Sequence, residues 1–335
     1  MVSKAEQVTG ERMARMVLSM IAEPDDPATG HVLAQVGGVQ TLVLVESTDP
    51  IPGMARVEAM VWREHLAPHL DQSLAARAVE AEGRGIRALI PADPEWPASV
   101  SDLGVRAPYV LWTRGATSLL TSPLRERVTV TGARAATAYG MQIASDLAGN
   151  LADDERVIVA GDSFGIEGAA HRGALARGGH TVAVLAGGVD RAYPSAHREL
   201  LERIGDVGLL VSELPPGAVP SRQRFLARGR LLAALSGVTV IPEAGRRSGA
   251  MRTAAHAHAL GRGVGAVPGP VTSVVSDGPH DLIKRGIASM VTTTSDVTVL
   301  LDSGPAVGRD LGRSVPGAGF SYRQPSPPQE PGRSL

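Results

Sequence analysis

From residue 128 onward, short apolar runs alternate with longer segments in which apolar residues recur at helical spacing. The runs are rich in valine, isoleucine and leucine, and in order they are VTVT, VIVA, TVAVLA, GLLVS, VTVI and VGAV. The segments with helical spacing are 138–152, 166–177, 195–204, 229–236 and 249–260. Strands that alternate with helices in this way form parallel βαβ units with right-handed crossovers. The pattern therefore predicts an α/β fold with a doubly wound, mostly parallel sheet.

The N-terminal quarter of the chain has a different pattern. Apolar residues recur at helical spacing in ERMARMVLSMIAE and in HLAPHLDQSLAARAVEAE, and proline and glycine interrupt the stretch between them. We therefore predict a small all-helical domain at residues 1–84. The core domain is predicted to span residues 85–302, and it begins with a proline-rich connector at 88–115 that contains two short strands, RALI and YVLW.

Composition adds further constraints. The chain has 335 residues, a formal net charge of −1 and no cysteine, which excludes disulfides and thiolate metal sites. The N-terminus lacks the apolar stretch of a signal peptide, and no uninterrupted apolar run approaches the roughly 18–20 residues of a membrane span. We therefore expect a cytoplasmic protein that does not contact a membrane. Residues 303–335 are rich in proline, glycine and serine, which predicts a disordered tail.

Positive charge is concentrated in one part of this nearly neutral chain. Between residues 214 and 276 the sequence has eight arginines and one acidic residue, Glu243. A local excess of this kind indicates an anion-binding surface. An arginine-rich face that meets only solvent has the same composition, so both interpretations remain open on charge alone.

The loops that follow the predicted strands contain the candidate binding residues, because ligands of doubly wound sheets bind where such loops meet helix N-termini. In the first loop Gly132 permits a sharp turn and Arg134 lies beside the start of a helix, a combination that binds phosphate. A plain strand–helix turn with a surface arginine is the alternative. In the second loop Gly161 and Gly165 flank Phe164, which either packs in the core or stacks on a base.

Three later loops complete the candidate site. Their predicted binding residues are Gly187, Phe225, Arg228, Arg230, Arg246, Ser248 and Gly249. Phe225 lies among arginines, which combines phosphate neutralisation with an aromatic platform. Ser248 has an alternative role, since serine at this position commonly caps a helix. His171 lies within an apolar helical segment and is interpreted as a structural histidine.

No catalytic arrangement is visible in the sequence. It contains no serine–histidine–aspartate pattern, no P-loop and no G-x-G-x-x-G fingerprint. The histidines at 256 and 258 have the wrong spacing to share one helical face, so they do not predict a metal site. No catalytic residue, metal or cofactor is predicted.

Eight short motifs follow one another along the core domain. They are TGAR, AGDSFGIEGAAH, AVLAGGVDRAYP, SELPPG, FLARGR, EAGRRSGAMRTA, VPG and DGPHDLIKRG. Their order and spacing resemble those of the DNA-processing protein A (DprA/Smf) family over roughly residues 85–302, and eight motifs in order are far more specific than any one of them. Leu226 and Gly229 replace the proline and asparagine of the family's F-P-x-R-N-R motif, and Glu167 replaces an aspartate.

The resemblance implies an extended Rossmann fold that binds single-stranded DNA in a basic pocket. It also implies a homodimer that delivers the strand to the RecA recombinase in natural transformation, without enzymatic activity. By position, Arg134 would hold a phosphate, while Gly161 and Gly165 would let DNA approach the backbone. Arg228 and Arg230 would line the pocket.

Two alternatives remain open. The same Rossmann variant resembles that of nucleoside monophosphate phosphoribohydrolases, but IPEAGRRSGAMRTA lacks the G-G-x-G-T core of their signature. The second alternative is a scaffold with impaired DNA binding, which the loss of the asparagine at Gly229 favours.

Overall fold

A nine-stranded sheet organises the computed structural model, which describes Val8 and residues 10–303. The strands are β1 (Arg87–Leu89), β2 (Leu111–Gly115), β3 (Arg127–Val130), β4 (Val157–Gly161), β5 (Thr181–Val184), β6 (Leu209–Ser212), β7 (Val238–Ile241), β8 (Gly263–Ala266) and β9 (Ser289–Met290). Their order is β1-β2-β6-β5-β4-β3-β7-β8-β9. All neighbours are parallel except β1 with β2 and β2 with β6. The predicted doubly wound, mostly parallel sheet is confirmed.

Helices precede the sheet and cover both of its faces. Those before β1 are α1 (Glu11–Ile21), α2 (Pro27–Glu46), α3 (Arg56–Leu66) and α4 (Ser73–Gly83). Those after β3 are α5 (Ala138–Asp153), α6 (Ile166–Ala176), α7 (Arg198–Val207), α8 (Arg222–Ala234), α9 (Gly249–Ala259), α10 (Asp277–Lys284) and α11 (Thr294–Asp302). The helical N-terminal region is therefore present, while the boundaries at residues 84 and 302 remain predictions. The predicted tail lies outside the described residues, apart from Ser303.

Alternating strand residues divide the core between the two faces of the sheet. In β4, Ile158 and Ala160 pack with α5 and α6, whereas Val157 and Val159 pack with residues of α8. This alternation follows from the two-residue period of a strand. Because both faces of the sheet are buried, the sequences of these strands are continuously apolar.

Helix α2 was not predicted from the sequence pattern. By length and composition alone this 20-residue helix would be able to cross a membrane, but half of its most apolar stretch is buried inside the protein. It bends at Gly37, where φ is 75°, and the next residue, Gly38, donates its N–H to the Glu11 carboxylate at 2.7 Å. Val32, Leu42 and their neighbours pack against α1 and α3, so α2 is a core helix of the N-terminal region. A core helix of this length can be as apolar as a membrane-spanning helix, so its length and composition alone do not indicate a membrane span.

The most consequential error in the predicted elements concerns α8. Residues 222–228 were predicted to form a loop and the helix to begin at residue 229, whereas the helix begins at Arg222. Ser221 caps it, since its hydroxyl accepts the N–H of Arg224 at 3.2 Å. Many arginines and a glycine hid the start of this helix in the sequence. Residues 195–197 form a single 3₁₀ turn before α7, and the two-residue strand β9 was also missed.

The strand order reverses at β3. The chain proceeds from β3 to β4, β5 and β6 on one side and then returns to pair β7 with the opposite edge of β3. The helices α5 and α9, which follow β3 and β7, lie on opposite faces of the sheet. A crevice therefore opens between the loops at the carboxyl ends of these strands, the place where doubly wound folds bind ligands.

Candidate functional site

A cleft of about 640 Å³ lies at the strand-order reversal. Its walls are the loop after β3 (residues 131–135), the first turns of α8 and the N-terminus of α9, and Ser163 and Glu167 lie at its floor. Of the predicted binding residues, it brings together Gly132, Arg134, Phe225, Arg228, Ser248 and Gly249. These residues lie up to 117 positions apart in the sequence (249 − 132), and the sheet topology joins them.

Four exposed arginines surround this cleft: Arg134, Arg222, Arg247 and Arg252. Among the described residues, none of the four forms an ion pair, so their positive charges are uncompensated locally. The N–H groups at the start of α9 open onto the same space, and the helix dipole adds to the positive potential there. Arg222, Arg247 and Arg252 were not among the predicted binding residues, and in the sequence only their place in the basic stretch indicates them.

Phe225 provides an aromatic surface inside the ring of arginines. The Arg134 guanidinium lies over its ring, 4.2 Å from the centroid, and the Arg228 guanidinium lies 5.2 Å away. The Tyr193 ring is 6.0 Å from the Phe225 ring. Phe164 is half exposed and contacts His197 edge-on at 4.8 Å, so it is not a core residue. Three of the chain's few aromatic side chains thus lie at or near the cleft.

The floor of the cleft is a buried ionic cluster. Arg228 donates to Asp162 through Nη1 and to both Glu167 oxygens through Nη2 at 2.9 and 3.0 Å. Burial raises the pKa of Asp162 to about 6, against the opposing effect of Arg228. Burial also acts to raise the pKa of Glu167, but Arg228 and hydrogen bonds from Thr131 and Ser163 hold that pKa below its usual range. Arg228 therefore lines the cleft, but carboxylates already neutralise its charge.

The glycines of the second loop have protein neighbours. A Cβ at position 161 would lie 2.3 Å from the Arg228 guanidinium, so only glycine leaves room for the ionic cluster. At Gly165, φ is 73° and a Cβ would lie 2.3 Å from the carbonyl oxygen of Ala133. This differs from the expectation that these two residues give DNA access to the backbone. At Gly132 a Cβ would similarly meet the Glu243 carbonyl oxygen at 2.5 Å.

Six predicted residues do not line the cleft: Gly161, Phe164 and Gly165, described above, and Gly187, Arg230 and Arg246. Arg230 is buried and donates to both Glu213 oxygens at 2.6 Å, because its position on α8 faces away from the cleft. Arg246 is exposed and pairs with Asp281 at 3.0 Å. Gly187 packs against the carbonyl of Ala218.

Ser248 and Gly249 lie at the entrance of α9. Ser248 occupies the N-cap position, but its hydroxyl accepts no hydrogen bond from the helix and has no partner among the described residues. Ser248 therefore does not cap α9 through its side chain, contrary to the alternative interpretation. The free N–H groups of the first turn remain available to an anion, whereas the Ser248 hydroxyl oxygen is buried.

Glu243, the one acidic residue of the basic stretch, supports the loop after β3. Its carboxylate accepts the backbone N–H and the hydroxyl of Thr137 at 2.8 and 2.6 Å. It thereby fixes the start of α5, beside the cleft. Among the described residues, no group of three histidine, aspartate or glutamate side chains is arranged to hold a metal ion.

His171 lies behind the floor and is buried, with its ring nitrogens 2.9 Å from the Gly161 carbonyl and 2.7 Å from the Thr181 hydroxyl. Burial lowers its pKa to about 4. The folded protein therefore binds one proton fewer than the unfolded chain between pH 4 and 6.5, and this contribution to stability is lost as the pH falls through that window. At pH 5 the loss is about 2 kcal/mol.

We therefore expect the stability difference between the wild type and His171→Gln to narrow by about 2 kcal/mol from pH 7.5 to pH 5. The difference is measured by urea unfolding at both pH values. The comparison of two proteins is needed because Asp162, with its raised pKa, has the opposite pH dependence in the wild type. A stability difference that stays constant with pH would show that His171 does not titrate in this way.

Comparison with known proteins identifies the family. Residues 87–302 match the sequence profile of DNA recombination-mediator protein A, which covers more than half of the chain. The chain belongs to the DNA recombination-mediator protein A family. This confirms the family predicted from the eight motifs. A Mycobacterium tuberculosis member that carries the name DNA processing protein DprA is 45% identical over 276 residues, which are 77% of this chain and 70% of that protein.

Two solved structures of family members have the same architecture. The X-ray structure of DNA processing protein A from Streptococcus pneumoniae aligns with a TM-score of 0.71 at 29% identity, over 85% of this chain and 97% of that chain. The Helicobacter pylori DNA processing protein A, described with a unique single-stranded DNA binding mode, aligns with a TM-score of 0.58 at 30% identity. It covers 65% of this chain and 97% of its own. The two structures thus share the overall fold of this chain.

Proposed function

We propose that this protein binds single-stranded DNA in the cleft at the strand-order reversal. The observation that carries the proposal is the ring of exposed, unpaired arginines (Arg134, Arg222, Arg247 and Arg252) around the Phe225 side chain. Guanidinium groups neutralise phosphates and an aromatic ring stacks on a base, which together suit a single strand. The single-stranded DNA binding described for the Helicobacter pylori family member supports the same assignment.

The cleft chemistry favours binding that does not depend on base sequence. Reading a base requires free donors and acceptors aimed at its edge. At the floor, however, Glu167 and Asp162 are already engaged by Arg228 and by backbone N–H groups. The floor also has a net negative charge from two carboxylates and one guanidinium, which repels phosphates. We therefore place phosphates at the rim with the arginines and bases against Phe225.

Binding to oligo-dT tests the proposal directly. Up to four arginines neutralise phosphates, so the logarithm of affinity should fall with the logarithm of salt with a slope of about −3. This corresponds to about 50-fold weaker binding at 200 mM than at 50 mM salt. Fluorescence anisotropy with labelled oligo-dT measures both quantities, and duplex DNA of equal length is the control. Binding that ignores salt, or that favours the duplex, would contradict the proposal.

Delivery of the bound strand to RecA, by a homodimer, is the part of the proposal that rests on the family alone. Family members are recombination mediators, and the family name gives this role its support. Light scattering should give twice the 34.7 kDa chain mass at micromolar concentration. RecA filament assembly on strands coated with single-strand binding protein measures delivery, and an Arg134 variant should lose both DNA binding and assembly.

The phosphoribohydrolase alternative needs a free carboxylate close to a bound nucleotide. Glu243 is engaged by Thr137, and Asp162 and Glu167 are engaged by Arg228, so the carboxylates lining or supporting this cleft are occupied. This argues for binding rather than hydrolysis. Release of free base from nucleoside monophosphates, followed by chromatography, decides between them. The impaired-scaffold alternative predicts no oligo-dT binding. In the structure, a Cβ at Gly229 would lie 2.9 Å from the Thr253 hydroxyl, so an asparagine at this position would not fit without a shift of its neighbours.

A further inference from the structure

A second cavity, of about 500 Å³, lies beside the opposite end of the sheet from the cleft. Arg127, the first residue of β3, lines it, whereas the cleft begins at Thr131, just beyond the last residue of the same strand. Trp96, Ser99 and Asp102 line its other side. These residues come from the connector before β2, to which the sequence analysis assigned no function.

Arg127 is the unusual residue in this cavity. The residue is only 3% exposed, yet its side chain forms no ion pair among the described residues. Its Nη1 donates to the carbonyl of Leu120 at 2.7 Å, and its Nε has no partner. Other buried arginines of this chain are paired differently, since Arg228 and Arg230 each face carboxylates. Arg127 is therefore a buried cation without a counter-charge.

The charges around Arg127 do not compensate it. Asp102 is paired with Arg262, whose own Nε also has no partner. The pKa of Arg127 is lowered to about 10, mainly by burial and also by the neighbouring Arg262, while Glu126 acts in the opposite direction. Arg127 thus stays charged at neutral pH, and burying an uncompensated charge is costly.

Two neutral donors at the cavity are also unsatisfied. The Trp96 indole N–H and the Ser99 hydroxyl are buried and have no hydrogen-bond partner among the described residues. The other two tryptophans behave differently, because Trp62 donates to Thr29 at 2.9 Å and Trp112 donates to Ser19 at 3.1 Å. Buried donors are normally paired, so several unpaired donors around one cavity indicate an acceptor that belongs there.

We propose that this cavity is an anion site that binds a phosphate group, held by Arg127 with the Trp96 N–H and the Ser99 hydroxyl. A phosphate carries the missing negative charge and several acceptor oxygens, which matches one guanidinium and two neutral donors. Inorganic phosphate and the phosphate of a mononucleotide share this chemistry. The site does not depend on the DNA-binding proposal, because no residue lines both cavities.

The three tryptophans provide the test, since Trp96 is one of the residues that line the cavity and the other two are hydrogen-bonded elsewhere. The full-length protein is labelled with 5-fluorotryptophan, its three resonances are assigned with Trp96→Phe, and inorganic phosphate or thymidine monophosphate is titrated at constant ionic strength. We expect only the Trp96 resonance to shift, and to do so saturably. A shift with phosphate alone assigns the site to the free anion, and tighter binding of the nucleotide assigns it to a nucleotide phosphate.

Variants then separate this cavity from the DNA cleft. Arg127→Gln should weaken the phosphate-dependent shift about ten- to a hundredfold, the loss expected for one contact to a charged group. Arg125→Gln removes the same charge from an exposed position two residues away and should leave the shift unchanged. Arg134→Ala, and saturation of the wild type with oligo-dT, should also leave it unchanged.

Some outcomes would overturn the proposal. If Trp96 does not respond to either ligand in the wild type, the cavity is not an anion site and Arg127 serves only to hold Leu120, whatever the variants do. If oligo-dT or Arg134→Ala abolishes the shift, the phosphate belongs to the cleft instead. Neither result bears on oligo-dT binding itself, whose failure would contradict only the proposed function.

Discussion

Replacing Arg228 by methionine is expected to destabilise the protein by about 3–5 kcal/mol, the usual cost of leaving buried charges unpaired. Methionine fills a similar volume, so the loss comes from Asp162 and Glu167, which would face each other in the floor without their shared cation. Without Arg228 the pKa of both carboxyls rises, and protonation relieves the repulsion. The destabilisation should therefore be smaller at pH 5 than at pH 8, as measured by urea unfolding.

Two further proteins make this result specific. Arg222→Met removes an exposed arginine from the first turn of the same helix, and we expect it to leave stability unchanged while weakening oligo-dT binding. A triple variant that combines Arg228→Met with Asp162→Asn and Glu167→Gln removes the buried charges together and should recover most of the lost stability. An Arg228→Met protein as stable as the wild type would show that the ionic cluster does not support the fold.

The comparison of Arg228 with Arg222 also explains what the sequence could and could not predict. Strand positions from β3 to β8 follow directly from apolar runs, because strands buried on both faces leave a strong local signal. The start of α8 leaves no such signal, since its first turns are polar and arginine-rich. Placing FLARGR in a loop made all its arginines appear equally available to DNA.

A helix gives each of those arginines a different environment. Residues two apart on a helix point to different sides, so Arg228 reaches the floor of the cleft and Arg230 reaches Glu213 outside it. The carboxylates that neutralise them lie far away in the sequence, at positions 162, 167 and 213. Composition therefore located the basic region, and only the tertiary contacts show which cations in it remain free.

The same reasoning applies to the loop glycines. The family resemblance implied that Gly161 and Gly165 let DNA approach the backbone, a role that glycines at such loops have in related folds. In the structure their hydrogens face the Arg228 guanidinium and the loop after β3. A close approach to the backbone of these glycines was thus expected, but the group that approaches is part of the protein and not DNA. A single sequence does not distinguish a glycine that makes room for a ligand from one that makes room for the protein's own atoms.

Arg134→Ala is expected to weaken oligo-dT binding by about ten- to a hundredfold, since a charge-assisted contact is worth about 1.5–3 kcal/mol. One phosphate fewer is neutralised, so the salt slope should become shallower by about 0.7. Thermal stability should barely change, because this exposed arginine forms no ion pair among the described residues and its exposed cation–π contact with the Phe225 ring contributes about 0.5–1 kcal/mol. Anisotropy and calorimetry on one variant measure both quantities.

Arg246→Ala is the matched control for Arg134→Ala. It removes an exposed arginine of the same basic stretch that already pairs with Asp281 and lies outside the cleft, so affinity should stay within about twofold. Phe225→Ala should lose about 1–3 kcal/mol of base stacking. Because Arg134 and Phe225 are in contact, their double variant should lose less than the sum of the single losses. Equal losses for Arg134→Ala and Arg246→Ala would mean that general basicity binds the strand, and that the cleft is not the binding site.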